Sequence, residues 1–258
     1  MHAEWTKLRT LPSTWWLLLA VVVLTLAVGA MAAGAVDADQ CRTPDSCHED
    51  VVELSLKGLL AGQAAVAVLG VLAVAGEYGA GTMRTTLTAM PRRARGLAAK
   101  AAVVAALAAA AGTLGVLASL TAGRFLVIDG GFTRAHGYRP ISLADGPTAR
   151  AAFGSVVFLV LVALLSMGVA YLMRDTAGAL ASVLGLLYAF PILASVVSDE
   201  KWAERIKRMS PSDAGQAVQA TRDLDRLAIG PWPGLAVTAA WAAGLLLLGA
   251  WVLRARDA

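Results

Sequence analysis

The chain has 258 residues, of which 58% are hydrophobic and only 16% charged, and its mean hydropathy is +0.66. A soluble domain carries about a quarter of its residues as charges, so this composition excludes a water-soluble enzyme and puts the protein in lipid. The net charge of +4 does not mark a nucleic-acid binder, because the basic residues lie between apolar runs and form no continuous patch; anionic lipid headgroups suit them better.

A helix rising 1.5 Å per residue needs about 20 apolar residues to cross a ~30 Å hydrocarbon core. Six stretches pass that test: 13–36, 58–76, 97–122, 151–173, 176–198 and 234–253. They are continuous and rich in Ala and Leu, whereas a barrel strand alternates over about ten residues. The expectation is an all-α, polytopic membrane protein with six transmembrane helices in one domain, 1–258.

Lys7 and Arg9 before the first run, with small residues near its end, imitate a secretory signal. The run is longer than the usual ~7–15 apolar residues of such a signal, and Trp15 and Trp16 stand at its start as interfacial anchors or packing residues. It is read as a span. The loop that follows holds both cysteines, Cys41 and Cys47, in CRTPDSCHED. Pro44 and Asp45 favour a turn that allows a disulfide; two free thiols, or a weak metal site with His48, remain alternatives.

Spans two and three are joined by GEYGAGTMRTTLTAMPRRARG. Gly79 and Gly81 loosen the chain, Thr82 can cap a short helix and Pro91 ends it. On that helix Met83, Leu87 and Met90 form a narrow apolar stripe, which suits either a partner's groove or a lipid surface. Arg92, Arg93 and Arg95 follow at headgroup level. Lys100 is expected to snorkel from the end of span three. Gly112, Gly115 and Ala118 in span three, and Gly178, Ser182 and Gly185 in span five, are small-residue rows suited to helix contacts or a dimer seam.

Arg174 and Asp175 make a tight turn between spans four and five. In the last loop Trp202, Ile206 and Met209 recur at helical spacing with Lys201, Glu204, Arg205, Lys207 and Arg208 on the other face, which fits a short amphipathic helix or a solvated connector. A second helix is expected to start near Ser212 or Asp213 and to run through Val218 and Leu224. With the amino terminus inside, Lys7, Arg9, Arg84, Arg92, Arg93, Arg95 and Lys100 are cytoplasmic against Arg42 and Lys57 outside, so both termini are expected in the cytoplasm of a cell-membrane protein.

No phosphate loop, nucleophile elbow, H-E-x-x-H or paired intramembrane carboxylates occur, and His2, His48 and His136 lie outside the spans. The motif E-Y-x-x-G-T-x-R-x-x-L followed by Pro91-Arg92-Arg93 resembles the permease subunits of ABC transporters of the ABC-2 type, and EWTKLRTLPSTWW resembles the interfacial elbow that precedes their first span, especially in actinobacterial members. The resemblance implies an exporter subunit that is not itself an enzyme. It implies a coupling helix built on Glu77, Tyr78, Gly81, Thr82, Met83, Arg84, Leu87 and Met90 and seated on a separate ATPase subunit. ATP and Mg would sit on that ATPase, no cofactor or metal on this chain, and a second permease copy or paralogue would complete the path. An immunity or sensory protein on the same scaffold is the alternative, and a lipid-modifying enzyme using Asp129, His136, Asp145 or Asp199 a more distant one.

Overall fold

The structure is a computed structural model that describes residues 12–36, 49–79, 93–132, 138 and 141–256. Among them there is no strand, and six helical segments are long and apolar enough to cross a membrane: Pro12–Gly34, Val51–Gly76, Gly96–Asp129, Gly146–Met173, Thr176–Val196 and Pro231–Leu253. The chain is therefore an all-α polytopic membrane protein. Of the elbow segment EWTKLRTLPSTWW, residues 12–16 open the first span and the rest lies outside the described residues.

Helix α1 (Pro12–Gly34) is span one. Span two is broken into α2 (Val51–Leu56) and α3 (Leu59–Gly79), so it begins seven residues before its apolar run suggests. Glu53 and Lys57 hide that first turn from a hydropathy reading. Helix α4 (Arg93–Asp129) carries span three past residue 122 through Arg124, and α5 (Gly146–Met173) opens at a proline in its first turn. Arg174 ends α5 in the left-handed region (φ 56°), and Asp175 caps α6 (Thr176–Val196) by accepting from the Gly178 N–H at 2.6 Å.

In the last loop the amphipathic helix exists as α7 (Glu200–Met209), capped by Asp199, with no buried residue. The second helix, α8 (Pro211–Gln216), starts earlier than Ser212 or Asp213 suggests, because Ser210 takes the Asp213 N–H at 3.1 Å and Pro211, which has no N–H to satisfy, fits the first helical position. It does not run on to Leu224; 3-10 turns at Ala217–Gln219 and Leu224–Arg226 lead instead to α9 (Pro231–Arg256), which contains span six.

Span four is the hub, packed against spans two, three and six. Burial covers 72% of the apolar window of span two and 61% of that of span four, but 22% in spans one, five and six, which leaves three spans with most of their surface toward lipid or another subunit. Small residues set the approach. A Cβ on Gly58 would overlap the Thr25 carbonyl of span one, and one on Gly70 would overlap the Ala163 carbonyl of span four. The small-residue row of span three works inside the chain, with Gly112 against Leu159 and Gly115 against Thr25. In the row of span five, Gly185 has nothing within 4 Å and Gly178 meets only its own cap.

Helix α8 and the turn after it are not surface structure. Pro211, Ser212, Ala214, Gly215 and Val218 are buried, Gly215 lies against Phe158, and Gly154 of span four makes room for Val218. Gly234 of span six lies so close to the Ala214 carbonyl that any side chain there must displace α8. Gly234→Ala is expected to cost roughly 1–3 kcal/mol. It should lower the melting temperature in detergent, while Gly244→Ala, a site with nothing within 4 Å, should leave it unchanged.

Candidate functional site

On the face where span two hands over to span three, α3 ends at Gly79 and α4 starts at Arg93. The side chains of Glu77 and Tyr78, and Gly81, Thr82, Met83, Arg84, Leu87 and Met90 entirely, lie outside the described residues, as do Cys41 and Cys47. What is described beside them corrects the expectation for Lys100. Because α4 begins at Arg93, Lys100 stands two turns inside the helix, 5% exposed, and its Nζ donates to the Ala73 carbonyl at 3.0 Å. It does not snorkel. Ala73 lies one turn before Glu77, so this charge-assisted bond fastens the start of span three to the end of span two at the edge of the motif.

On the opposite face, the loops are tied together by one carboxylate. Asp50 Oδ1 accepts from the Val52 and Glu53 N–H groups at 3.1 Å each, which caps α2, and also from Thr221 Oγ1 at 2.8 Å. Asp50 Oδ2 accepts from the Thr221 N–H and from the Arg222 N–H at 2.9 Å. The Arg222 guanidinium stands 4.7 Å over the Tyr138 ring, which packs edge-on against Phe132, and Arg150 of span four donates to the Ala220 carbonyl. Two loops and the start of span four thus converge on the segment 220–222.

Polar bonds from the spans hold α8 below this brace. Ser212 Oγ donates to Oε1 of the fully buried Gln63 in span two at 3.1 Å, and Gln216 Nε2 donates to Ser212 Oγ at 2.9 Å. Thr238 of span six donates to the Pro211 carbonyl at 2.8 Å, and Trp241 Nε1 to the Met209 carbonyl at 3.0 Å. Tyr188 of span five donates to the Leu60 carbonyl.

Between span ends one, two and five and the last loop lies a cavity of about 820 Å³. Apolar Val28, Leu60, Pro191 and Ile229 form part of its wall. Its carboxylates are Glu53, Glu200, Glu204 and Asp213, its bases Lys57, Lys207 and Arg226, and its amides Gln216 and Gln219. Among the described residues no cluster of His, Cys, Asp or Glu fits a metal ion. Burial pushes the Asp213 carboxyl above the usual carboxylate range; the Ser210 hydroxyl and the nearby Lys207 pull the other way. A scan of protein-family models and a search of curated proteins return no match for this chain.

Sequence reasoning missed Asp50, Gln63 and Gln219, and gave Lys100 a solvent-reaching role where the structure buries it. The D-x-x-E spacing of Asp50 and Glu53 is a helix-start pattern that could have revealed the cap. Nothing local distinguishes Gln63 or Gln219.

Two outcomes follow. Asp50→Ala should cost at least about 1–2 kcal/mol, and in a double-mutant cycle with Thr221→Val the losses should fall short of additive, because both substitutions cut the same bond. For Asp213, ionisation is penalised in the fold, so its contribution is full below the ordinary carboxylate pKa and is lost as pH rises through the raised value. Asp213→Asn cannot ionise. Its melting temperature should match wild type near pH 4 and exceed it near pH 7.5.

Proposed function

We propose that the chain is the permease subunit of an ATP-driven exporter of the ABC-2 type, with both termini in the cytoplasm and the segment between spans two and three docking on a separate ATPase. The observation that carries this reading is the motif Glu77–Arg93, with its E-Y-x-x-G-T-x-R-x-x-L pattern, which runs from the last turn of α3 to the first residue of α4. A six-span all-α chain with buried short helices in its last loop is in keeping with it.

The chain carries no phosphate-binding loop, so energy for uphill export has to come from a partner. Two permeases and two ATPases would make the assembly, and the sparsely buried spans one, five and six leave apolar surface for the second permease. Nucleotide-driven closure of the ATPases would rock the helical bundles between inward-open and outward-open states through the docked segments. On this reading Leu87 is directed into the ATPase groove. Loss of a fully buried leucine forfeits roughly 1.5–3 kcal/mol, and an unpaired carboxylate costs more. Leu87→Asp should therefore weaken co-purification of the tagged permease and ATPase by at least about tenfold at matched membrane expression. The purified chain alone should hydrolyse no ATP. Undiminished pairing with normal ATP-driven efflux would remove the coupling assignment.

A further inference from the structure

Helix α7 has three sides. Glu200, Ala203, Glu204 and Lys207 line the far-face cavity, so both carboxylates of the helix lie on that side. Lys201, Arg205 and Arg208, at i, i+4 and i+7, form an exposed basic ridge on the next sector, and Trp202, Ile206 and Met209 an apolar face beyond it. The Arg205 guanidinium stands 5.2 Å over the Trp202 ring, where ridge and apolar face meet. Trp202 and Met209 are exposed, as is Trp232 at the start of span six, which suits the depth of an interfacial aromatic belt. The arrangement is that of a helix lying in the membrane surface, with its apolar face toward the acyl chains and its bases at headgroup level.

A groove of about 450 Å³ starts at the end of this helix and runs along span six. Arg208 and Met209 form its mouth, and its floor is Val237, Ala240, Trp241, Gly244, Leu245 and Leu248, a single helical stripe. From Val237 to Leu248 the stripe is about 16 Å long at 1.5 Å per residue, about half of a ~30 Å hydrocarbon core and hence the depth of one leaflet. A Cβ on Gly244 would meet nothing within 4 Å, so the floor is open at its middle. The mouth is held in place by Trp241 Nε1, which donates to the Met209 carbonyl at 3.0 Å. Its guanidinium is not committed: Arg208 meets Glu204 at 3.2 Å with the two side chains 55% and 49% exposed, and such a pair contributes little in water. Among the described residues Lys201 and Arg205 have no carboxylate within ion-pair distance.

We propose that this groove binds an anionic phospholipid of the far-face leaflet, with one acyl chain lying along the stripe from Val237 to Leu248, the phosphate accepting from Arg208, and Lys201 and Arg205 adding positive field around the headgroup. A guanidinium meets a phosphate through two parallel N–H donors, whereas Glu204 is met through Nη2 of Arg208. An uncharged lipid fills the groove but leaves the ridge unanswered. A second copy of the chain fits less well, because a two-fold contact over the groove sets its basic ridge against this one and buries the guanidinium without adding an acid. The site is built from α7 and span six of one chain, so it stands whether or not an ATPase docks on the Glu77 motif. On this stripe span six faces lipid, which leaves spans one and five for a second permease.

The test uses the full chain in dodecyl maltoside micelles, titrated with dioleoylphosphatidylglycerol or dioleoylphosphatidylcholine, with bound lipid counted by native mass spectrometry. The expected result is saturable retention of one phosphatidylglycerol per chain, at least about fivefold tighter than phosphatidylcholine. Arg205→Gln combined with Arg208→Gln should bring phosphatidylglycerol down to the phosphatidylcholine level. Gly244→Phe, which fills the floor, should weaken both lipids at least about fivefold, while Gly244→Ala keeps the floor open and should bind as wild type does. These substitutions spare the packed core, since both arginines are exposed and Gly244 borders open space; monodispersity and melting temperatures are recorded alongside. Equal affinity of the two lipids for wild type, or unchanged phosphatidylglycerol binding in either the arginine variant or Gly244→Phe, overturns the proposal. So does a wild-type dimer that Gly244→Phe breaks while lipid binding stays the same, which assigns the stripe to a second copy. ATPase pairing is not read in this experiment, so its result and that of Leu87→Asp can fail separately.

Discussion

Main-chain N–H and C=O groups inside a bilayer have no water to fall back on, and this fold breaks two of its helical ladders where that matters. Span two is interrupted at Lys57 and Gly58, and the last loop sinks α8 among the spans. Each break leaves orphan groups, and each is answered by a particular side chain. Ser119 of span three donates to the Ser55 carbonyl at 2.5 Å and also stands 3.3 Å from the Thr25 carbonyl. Asp50 collects the N–H groups at the start of α2 together with those of Thr221 and Arg222. Thr238 meets the Pro211 carbonyl and Ser210 the Asp213 N–H. The long-range polar bonds of Asp50, Ser119 and Thr238 thus fall at these interruptions, where the backbone requires them.

The same requirement explains where the chain spends its glycines. A side-chain donor reaches a neighbouring backbone carbonyl only if the helices approach closely, and Gly29, Gly58 and Gly123 allow that approach around Ser55, Thr25 and Ser119. Lipid supplies no hydrophobic drive for helix association, so close packing and these hydrogen bonds carry the assembly of spans one to three. The cost is a bundle that is dense on one side and thin on the other. Span five meets spans two and four along part of its length and leaves most of itself outward, and the gap between its end and span two becomes the cavity.

Hydropathy reads apolar length, and six spans were legible because length alone decides them. It fails where charge and burial coincide. Glu53 and Lys57 concealed the first turn of span two, Arg124 the far end of span three and Arg150 the start of span four, although the structure uses that guanidinium to hold the Ala220 carbonyl. Lys100 was legible as a cation near a helix end, but not as a buried donor, because that depends on a carbonyl 27 positions away. The amphipathic α7 was legible from its period, whereas the descent of α8 into the bundle was not: its six residues, PSDAGQ, read as a polar turn, and only the glycines of facing helices make the space. Asp50, Gln63 and Gln219 owe their roles to partners about 150 to 170 residues distant or to a cavity wall, and no local pattern encodes such partners.

A broken transmembrane helix invites reading as a hinge, but the break in span two is held on three sides. Gly58 lies against the Thr25 carbonyl, Ser119 occupies the freed Ser55 carbonyl, and α2 is pinned by Asp50 to the far loop. Bending at Lys57 and Gly58 would strip hydrogen bonds that nothing in lipid replaces. Spans one, two and three are therefore expected to move as one body, with Lys100 extending that body to the edge of the Glu77 motif. If an ATPase acts on the motif, its displacement reaches the far face undiminished at Asp50 and Gln63. The bonds it then loads are those between Gln63 and Ser212 and between Asp50 and Thr221, which join the body to the buried loop. Such a device would transmit motion through a stiff unit and concentrate the change at a few polar bonds, because packed cores switch between discrete arrangements more readily than they deform.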